Sequence, residues 1–195
     1  KAPSTRELIM NIFYLHEDPK IASTMHIDKH VVKMVIETAQ LLSTAHRVLD
    51  GKEYYGKTAN RRKIKRWKHP NSNLEHTLYK ASHVNHPSAV WVRENGFNYR
   101  WTWLLMAELG KEFYLRYGKM HMTTEKLEQV LQEPPKSIPW NHVGTQPPQC
   151  MPDDVKVPGD SVQAYRNYYV KYKHPFATWR TQKPVWFDEM ERNQK

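Results

Sequence analysis

The segment from His26 to Leu49 contains neither glycine nor proline and is long enough for about six turns of α-helix. Its side chains divide unevenly around that helix. Val31, Val32, Met34, Val35, Ile36, Ala39, Leu41, Leu42, Ala45, Val48 and Leu49 cover well over half the circumference. His26, His30, Lys33, Glu37, Gln40 and Thr44 share one narrow strip, with Lys29 and Arg47 at its edge. A surface helix shows the opposite proportion, an apolar stripe on a polar cylinder. The pattern therefore predicts a mostly buried central helix with one ionisable seam. Unpaired charge in an interior is very costly, so the seam must be internally paired or face a cleft. Perturbed titratable groups beside a cleft are what catalysis uses; the plainer outcome is a satisfied structural network.

Punctuation around this helix predicts the other elements. Asp18-Pro19 reads as a cap and first-turn proline for a short helix over 20–25. Asp50-Gly51 stops the central helix, Gly51 suiting a left-handed cap. Met10 to Leu15, apolar and rich in β-formers, reads as a short strand or equally as an extended packing segment. Asn73 to His83 reads as helical, with Leu74, Leu78 and Ala81 on one side, ending in the tight connection His83-Val-Asn85-His86-Pro87. Pro87 opens a helix over 88–95. Phe97 to Tyr117 forms a second long helix with Tyr99, Trp103, Leu104, Met106, Leu109, Phe113 and Tyr114 as core and Gly118 as its stop. Glu108 and Glu112, four apart on one side of it, read first as a solvated pair, with a second carboxylate contribution to the seam as the alternative. A short helix follows over 124–132, and Asp160 caps a last one over 161–173. Phe176, Trp179, Trp186 and Phe187 are expected to pin the C-terminal part onto the body. The sum is a mainly α fold: one helical domain over 10–187 with at most one or two short strands, an extension at 1–9 and a tail at 188–195.

A length of 195 residues suits one domain with a sizeable core. The lone Cys150 excludes a disulfide framework and a cysteine-rich zinc site, which fits a reducing cytoplasm. No run approaches the roughly 18 to 20 apolar residues of a membrane span, and no signal-peptide apolar region is evident, so a cytoplasmic protein without a membrane partner is expected. The formal net charge of +10 favours a polyanionic partner, a nucleic acid above all, through phosphate contacts. Lys57 to Lys68 holds seven Lys or Arg and no acid. Such a block repels itself and predicts a mobile solvated loop over 57–69 unless a polyanion neutralises it. Arg61, Arg62, Lys63, Lys65, Arg66 and Lys68 can then track phosphates while Trp67 stacks on a base, and Lys33 and Asn85 complete the nucleic-acid-binding set. From Glu133 to Pro158 the chain carries seven prolines, predicting an ordered surface loop that serves as lid or wall of a site.

Glycine-rich phosphate loops, a Gly-x-Ser-x-Gly elbow and the zinc deaminase Cys-x-x-Cys signature are all missing, so no motif requires a cofactor. His26-x-x-x-His30 places two imidazoles one turn apart, able to grip a metal ion. Glu37 lies about 10 Å further along the axis, so a third ligand must come from His83, His86 or Glu75. Without metal, His30 and Glu37 suit general acid and base work, and Lys29 or Lys33 can hold a phosphate or serve as nucleophile. The candidate catalytic set is His26, Asp28, Lys29, His30, Glu37 and His86.

Met10-Asn-Ile-Phe-Tyr-Leu, Asp18-Pro, His26-x-Asp-Lys-His-Val-Val-Lys-Met, Thr44-Ala-His46-Arg, Asn85-His86-Pro87, Arg116-Tyr-Gly-Lys, Met151-Pro and Tyr165-Arg-x-Tyr-Tyr span nearly the whole chain. Together they resemble a family of small, uncharacterised proteins of tailed-phage genomes. The resemblance implies a phage setting in the host cytoplasm, and with it the enzymes by which phages modify, excise or protect DNA bases. All-α glycosylase-related proteins are among these, but the chain lacks the Gly-x-Gly hairpin usual in that group. The leading expectation is a transferase or glycosylase-like enzyme acting on a DNA base. The base would enter a pocket floored by the central helix, with Asn85 and His86 on the opposite wall. The alternatives are a His/Glu metal-dependent nuclease or oxygenase, and a non-catalytic factor binding DNA or a host protein.

Overall fold

In the computed structural model, which describes residues 11–141 and 143–194, helix α1 (Pro19–Met25) begins as its sequence dictates. The Asp18 carboxylate accepts the Lys20 main-chain N–H, with Pro19 in the first turn. Helix α2 (Asp28–Asp50) follows and is enclosed on most of its circumference. Val31, Met34, Val35, Ala39, Leu41, Leu42 and Ala45 are buried, and so are Glu37, Thr38, Ser43, Thr44, His46 and Arg47; Val32 and Ile36 reach solvent. The helix does not end in a left-handed residue as expected. Gly51 has φ −88° and ψ 165°, and glycine is needed there for space: a Cβ would sit 2.2 Å from the Arg47 carbonyl oxygen.

The expected loop over 57–69 is instead half of an antiparallel hairpin, β1 (Lys52–Lys57) and β2 (Lys63–Lys68), paired from Lys52↔Lys68 to Lys57↔Lys63. Tyr54, Tyr55, Ile64 and Trp67 supply β-forming side chains between the charges. The turn closes through the Thr58 N–H to the Arg62 carbonyl. Helix α3 (Ser72–Thr77) is shorter than the expected 73–83. Arg47 donates to the carbonyls of Glu75, Leu78 and Tyr79, and this anchors an irregular course where a helix would otherwise continue.

His86 caps α4 (Pro87–Glu94), and Asn95 caps α5 (Gly96–Tyr117), which Gly118 ends in the left-handed region at φ 70°. Helix α6 (Met122–Leu127) starts before the expected 124–132 because His121 caps it, and turns replace its second half. Asn11 to Leu15 forms no strand; Met10 lies outside the described residues. Ile12, Phe13, Tyr14 and Leu15 are buried, but the segment is held by side chains, Arg166 donating to the Leu15 carbonyl at 2.9 Å. Helix α7 (Ser161–Tyr168) runs on into a wider π turn, Tyr169–Lys173, which together fill the expected span. Helix α8 (Val185–Asn193) occupies much of the expected tail and anchors itself through the buried Phe187.

The core sits between α2 and α5, with α1 packed on α5 and α4 on both long helices. The fold is mainly α, and the hairpin is the whole of the sheet structure among the described residues. No described helix is long and apolar enough to cross a membrane.

Candidate functional site

The N-terminal half of the α2 seam is a closed network. Arg116 on α5 donates to Glu112 Oε1 (2.8 Å), Asp28 Oδ1 (3.1 Å), and the carbonyls of His26 (2.7 Å) and Thr24 (3.0 Å). Glu112 is thus a buried ion-pair partner within the seam, the alternative reading of this pair, while Glu108 binds Lys111. Asp28 also accepts from the Thr178 hydroxyl and the Arg180 main-chain N–H, tying the C-terminal segment to α2. His26 bonds the Ala22 carbonyl at 2.7 Å, and burial pushes its pKa down to about 4. His30 stacks on Phe13 with ring centroids 4.0 Å apart and meets the Tyr169 hydroxyl at 2.7 Å. Burial, then the charges of His26, Lys173, Lys33 and Lys29, holds His30 well below its ordinary value.

Glu37 is buried beside Lys33 at 3.3 Å, and burial raises its carboxyl to about 7. Lys29 lies over the Phe176 ring. Among the residues of the seam, His26, Asp28, Lys29, His30, Lys33 and Glu37 line none of the principal clefts; Glu112 alone borders one, with Thr24, Met25 and Thr181. The proposed third ligands are otherwise engaged or remote: Glu75 pairs with Arg47, His86 caps α4 through the Ser88 N–H, and His83 is exposed. Asn85 does approach the basic strand, across a groove with Ile64, Arg66 and Trp67. Lys33 stays outside that groove.

The other end of α2 is open. His46 and Asp50, one turn apart, converge with His69, which follows β2, so that one potential ligand atom from each lies within 4.8 Å of the others. They floor a cleft of about 870 Å³. Its walls are the end of α2, the segment from His69 to Leu74, and Val130 to Ser137, the start of the proline-rich stretch. That stretch therefore supplies a wall, but of a different cleft from the one expected.

Hydrogen bonding assigns the proton positions in this group. The Tyr99 hydroxyl lies 2.6 Å from the Leu131 carbonyl and 2.9 Å from His46 Nε2. A carbonyl only accepts, so Tyr99 donates to it and receives the His46 Nε2 proton. His46 Nδ1 is left as a bare lone pair, buried and without a partner among the described residues. Burial lowers the His46 pKa to about 4; the Asp50 charge opposes this, His69 adds to it, and the nearby Glu133 main chain works against it. Burial works to raise the Asp50 carboxyl, but the N–H groups of Ser137 and Lys136, at 2.9 and 2.7 Å, outweigh it and hold it below its ordinary value. His69 Nδ1 accepts the Asn71 N–H at 3.0 Å, so in the neutral ring Nε2 carries the proton, again buried and unpartnered among the described residues.

Arg47 holds the arrangement together. It donates to the Trp67 carbonyl and to Glu75 Oε2, and Glu75 Oε2 also accepts the His69 main-chain N–H. The spacing of His46 and Asp50 is a signal the sequence carries; the approach of His69 is not. A second cleft of about 460 Å³, lined by Asp50, Lys52, Tyr54, Lys68 and His69 among others, joins this floor to the base of the hairpin.

The pairing register puts Tyr55, Lys57, Lys63, Lys65 and Trp67 on one hairpin face with Glu53 as the sole acid. Lys63 sits over the Tyr55 ring at 4.1 Å, and Lys65 reaches Glu53 at 3.4 Å. Arg61 and Arg62 are exposed in the turn, Arg61 at φ 57°. Arg66 and Lys68 lie on the opposite face, Arg66 reaching the Ala81 carbonyl. No protein-family model, curated protein or solved structure matches the chain.

Proposed function

We propose that the protein is a DNA-acting enzyme, of the phage type its motifs resemble, that holds the sugar-phosphate backbone on the β1–β2 hairpin and works on a nucleotide in the adjoining cleft. The observation that carries this reading is the hairpin's own charge pattern. Lys52 faces Lys68 and Lys57 faces Lys63, one like-charge pair at each end. Like charges directly opposite destabilise a strand pair. Lys57 and Lys63 share the face of Tyr55 and Trp67, where a polyanion relieves their repulsion, while Lys52 and Lys68 lie on the other face beside the second cleft. A two-stranded ribbon is a shape the major groove of DNA admits, and Tyr55 and Trp67 offer stacking surfaces to unpaired bases.

The cleft supports the second half of the reading. Its volume falls within the range of small-molecule sites and suits an extruded base. His46, Asp50 and His69 bring two acceptors and a donor to its floor, a set suited to positioning a water molecule for hydrolysis. His26, Asp28 and His30 are committed to packing and to the Arg116 network, which moves the chemistry away from them.

Fluorescence anisotropy with labelled DNA at several salt concentrations tests the binding half. The triple variant Arg61→Ala, Arg62→Ala, Lys63→Ala is expected to bind more weakly, with a salt slope shallower by about 2 to 3. Unchanged affinity and slope would refute it. Mass analysis of nucleosides after incubation with phage DNA tests the catalytic half: His46→Ala should retain binding and form no product.

A further inference from the structure

We infer that His46 Nδ1, Asp50 and His69 Nε2 form a binding site for one divalent first-row transition ion of the zinc class, with its free coordination positions facing the cleft. The assignment deepens the proposed site but stands on cleft geometry alone, whether or not the hairpin binds DNA. Two imidazole nitrogens point into the same small space with no partner among the described residues, on side chains only 3% and 5% exposed. A buried polar atom without a partner requires an explanation, and two beside a carboxylate have a shared one.

The surroundings match those of a metal ligand set. A ligating histidine is normally oriented through its other nitrogen, and Tyr99, itself anchored on Leu131, does this for His46. The Asp50 carboxylate is fixed by two main-chain N–H groups and keeps lone pairs free. Two imidazoles with one carboxylate favour a transition ion over magnesium or calcium, whose sites are built from oxygen. Three protein ligands with an open side are the arrangement of a catalytic rather than a structural ion, which lowers the pKa of a bound water.

The anchorage says which ligand can adjust. A tetrahedral ion wants its ligand atoms about 3.4 Å apart, and one ligand atom from each of these residues lies within 4.8 Å of the others. Tyr99 and the Lys136–Ser137 main chain hold His46 and Asp50, which leaves His69 to adjust. Coordination through Nε2 shifts its proton to Nδ1 and releases the Asn71 N–H, which sits on an exposed residue and can turn to water.

The test uses the full chain, stripped with chelator and titrated with Zn²⁺ by calorimetry and with Co²⁺ by visible absorption. The expected result is one ion per chain, with the intense bands of four- or five-coordinate cobalt. His46→Ala and Asp50→Asn should each weaken zinc binding by about a hundredfold or more, and Tyr99→Phe by about ten- to a hundredfold. His76→Ala should match the parent. The hairpin triple variant should bind zinc normally while losing DNA, so failure of either reading is seen separately. Absence of binding by the folded parent at micromolar Zn²⁺, or a weak six-coordinate cobalt spectrum, overturns the site whatever the variants do. So does binding that His46→Ala and Asp50→Asn, both folded by circular dichroism, leave intact.

Discussion

Glu37 shows how a residue that looks chemical on a helical wheel acquires a structural account. Its carboxylate is buried, its partner Lys33 is half-exposed, and burial raises its pKa from 4.5 to about 7. A folded-state pKa above the unfolded one stabilises the fold below the unfolded value, and that stability is lost as pH rises through about 7. The upper bound on the change is on the order of 3 kcal/mol. Glu37→Gln is therefore expected to be at least as stable as the parent at pH 8 and to lose that advantage at pH 5, as urea denaturation at the two pH values would show. A large loss at pH 8 would contradict the burial account. Such a result is invisible in the sequence, where the wheel gives the side of the helix but not what lies against it.

Among the elements, the hairpin and α3 are the ones whose placement depends on a single distant side chain. Arg47 makes five hydrogen bonds, to Tyr79, Trp67, Glu75 (side chain and carbonyl) and Leu78. Lysine keeps the charge but not the planar fork that reaches several acceptors at once. Arg47→Lys should cost about 1–3 kcal/mol in denaturant unfolding, the cost of leaving buried acceptors without their donor. It should also increase hydrogen exchange first in residues 72–80. Uniform exchange over the whole chain would instead indicate that this segment has no separate anchorage. The caps at Asp18, Asp160 and Gly118 were legible because a cap involves neighbours a few residues apart. The hairpin was hidden because the charge density of 57–68 outweighed the few β-forming residues, Tyr54, Tyr55, Ile64 and Trp67, which show no simple alternation.

For the molecule as a whole, buried histidines set the response to acid. His26 and His46 fall to about 4 and His30 lies well below its ordinary 6.5, all chiefly through burial. The unfolded chain binds these protons first, so stability falls as pH drops from 6.5 towards 4. Glu37 works in the opposite direction over part of that range. The net uptake of protons on unfolding in this range lowers stability progressively as the pH falls. Since domains of this kind have about 5–15 kcal/mol in total, cooperative loss of structure is expected between pH 6 and pH 4. Circular dichroism during acid titration measures it; a fold unchanged at pH 4 would contradict the enclosure of these rings.

The amino-acid order alone determined the two long helices, their mutual burial, most helix starts and the mainly α class, because periodicity and capping act over one or two turns. It also placed His46 and Asp50 on one face, four residues apart. Only the tertiary structure decided that the N-terminal seam closes around Arg116 and Phe13 while the far end of α2 opens. That choice is made by residues far away in the chain, Arg116, Tyr169, Tyr99 and the Lys136–Ser137 main chain, whose arrival no local pattern encodes. His69 reaches His46 only because the hairpin reverses the chain and Arg47 fixes its return.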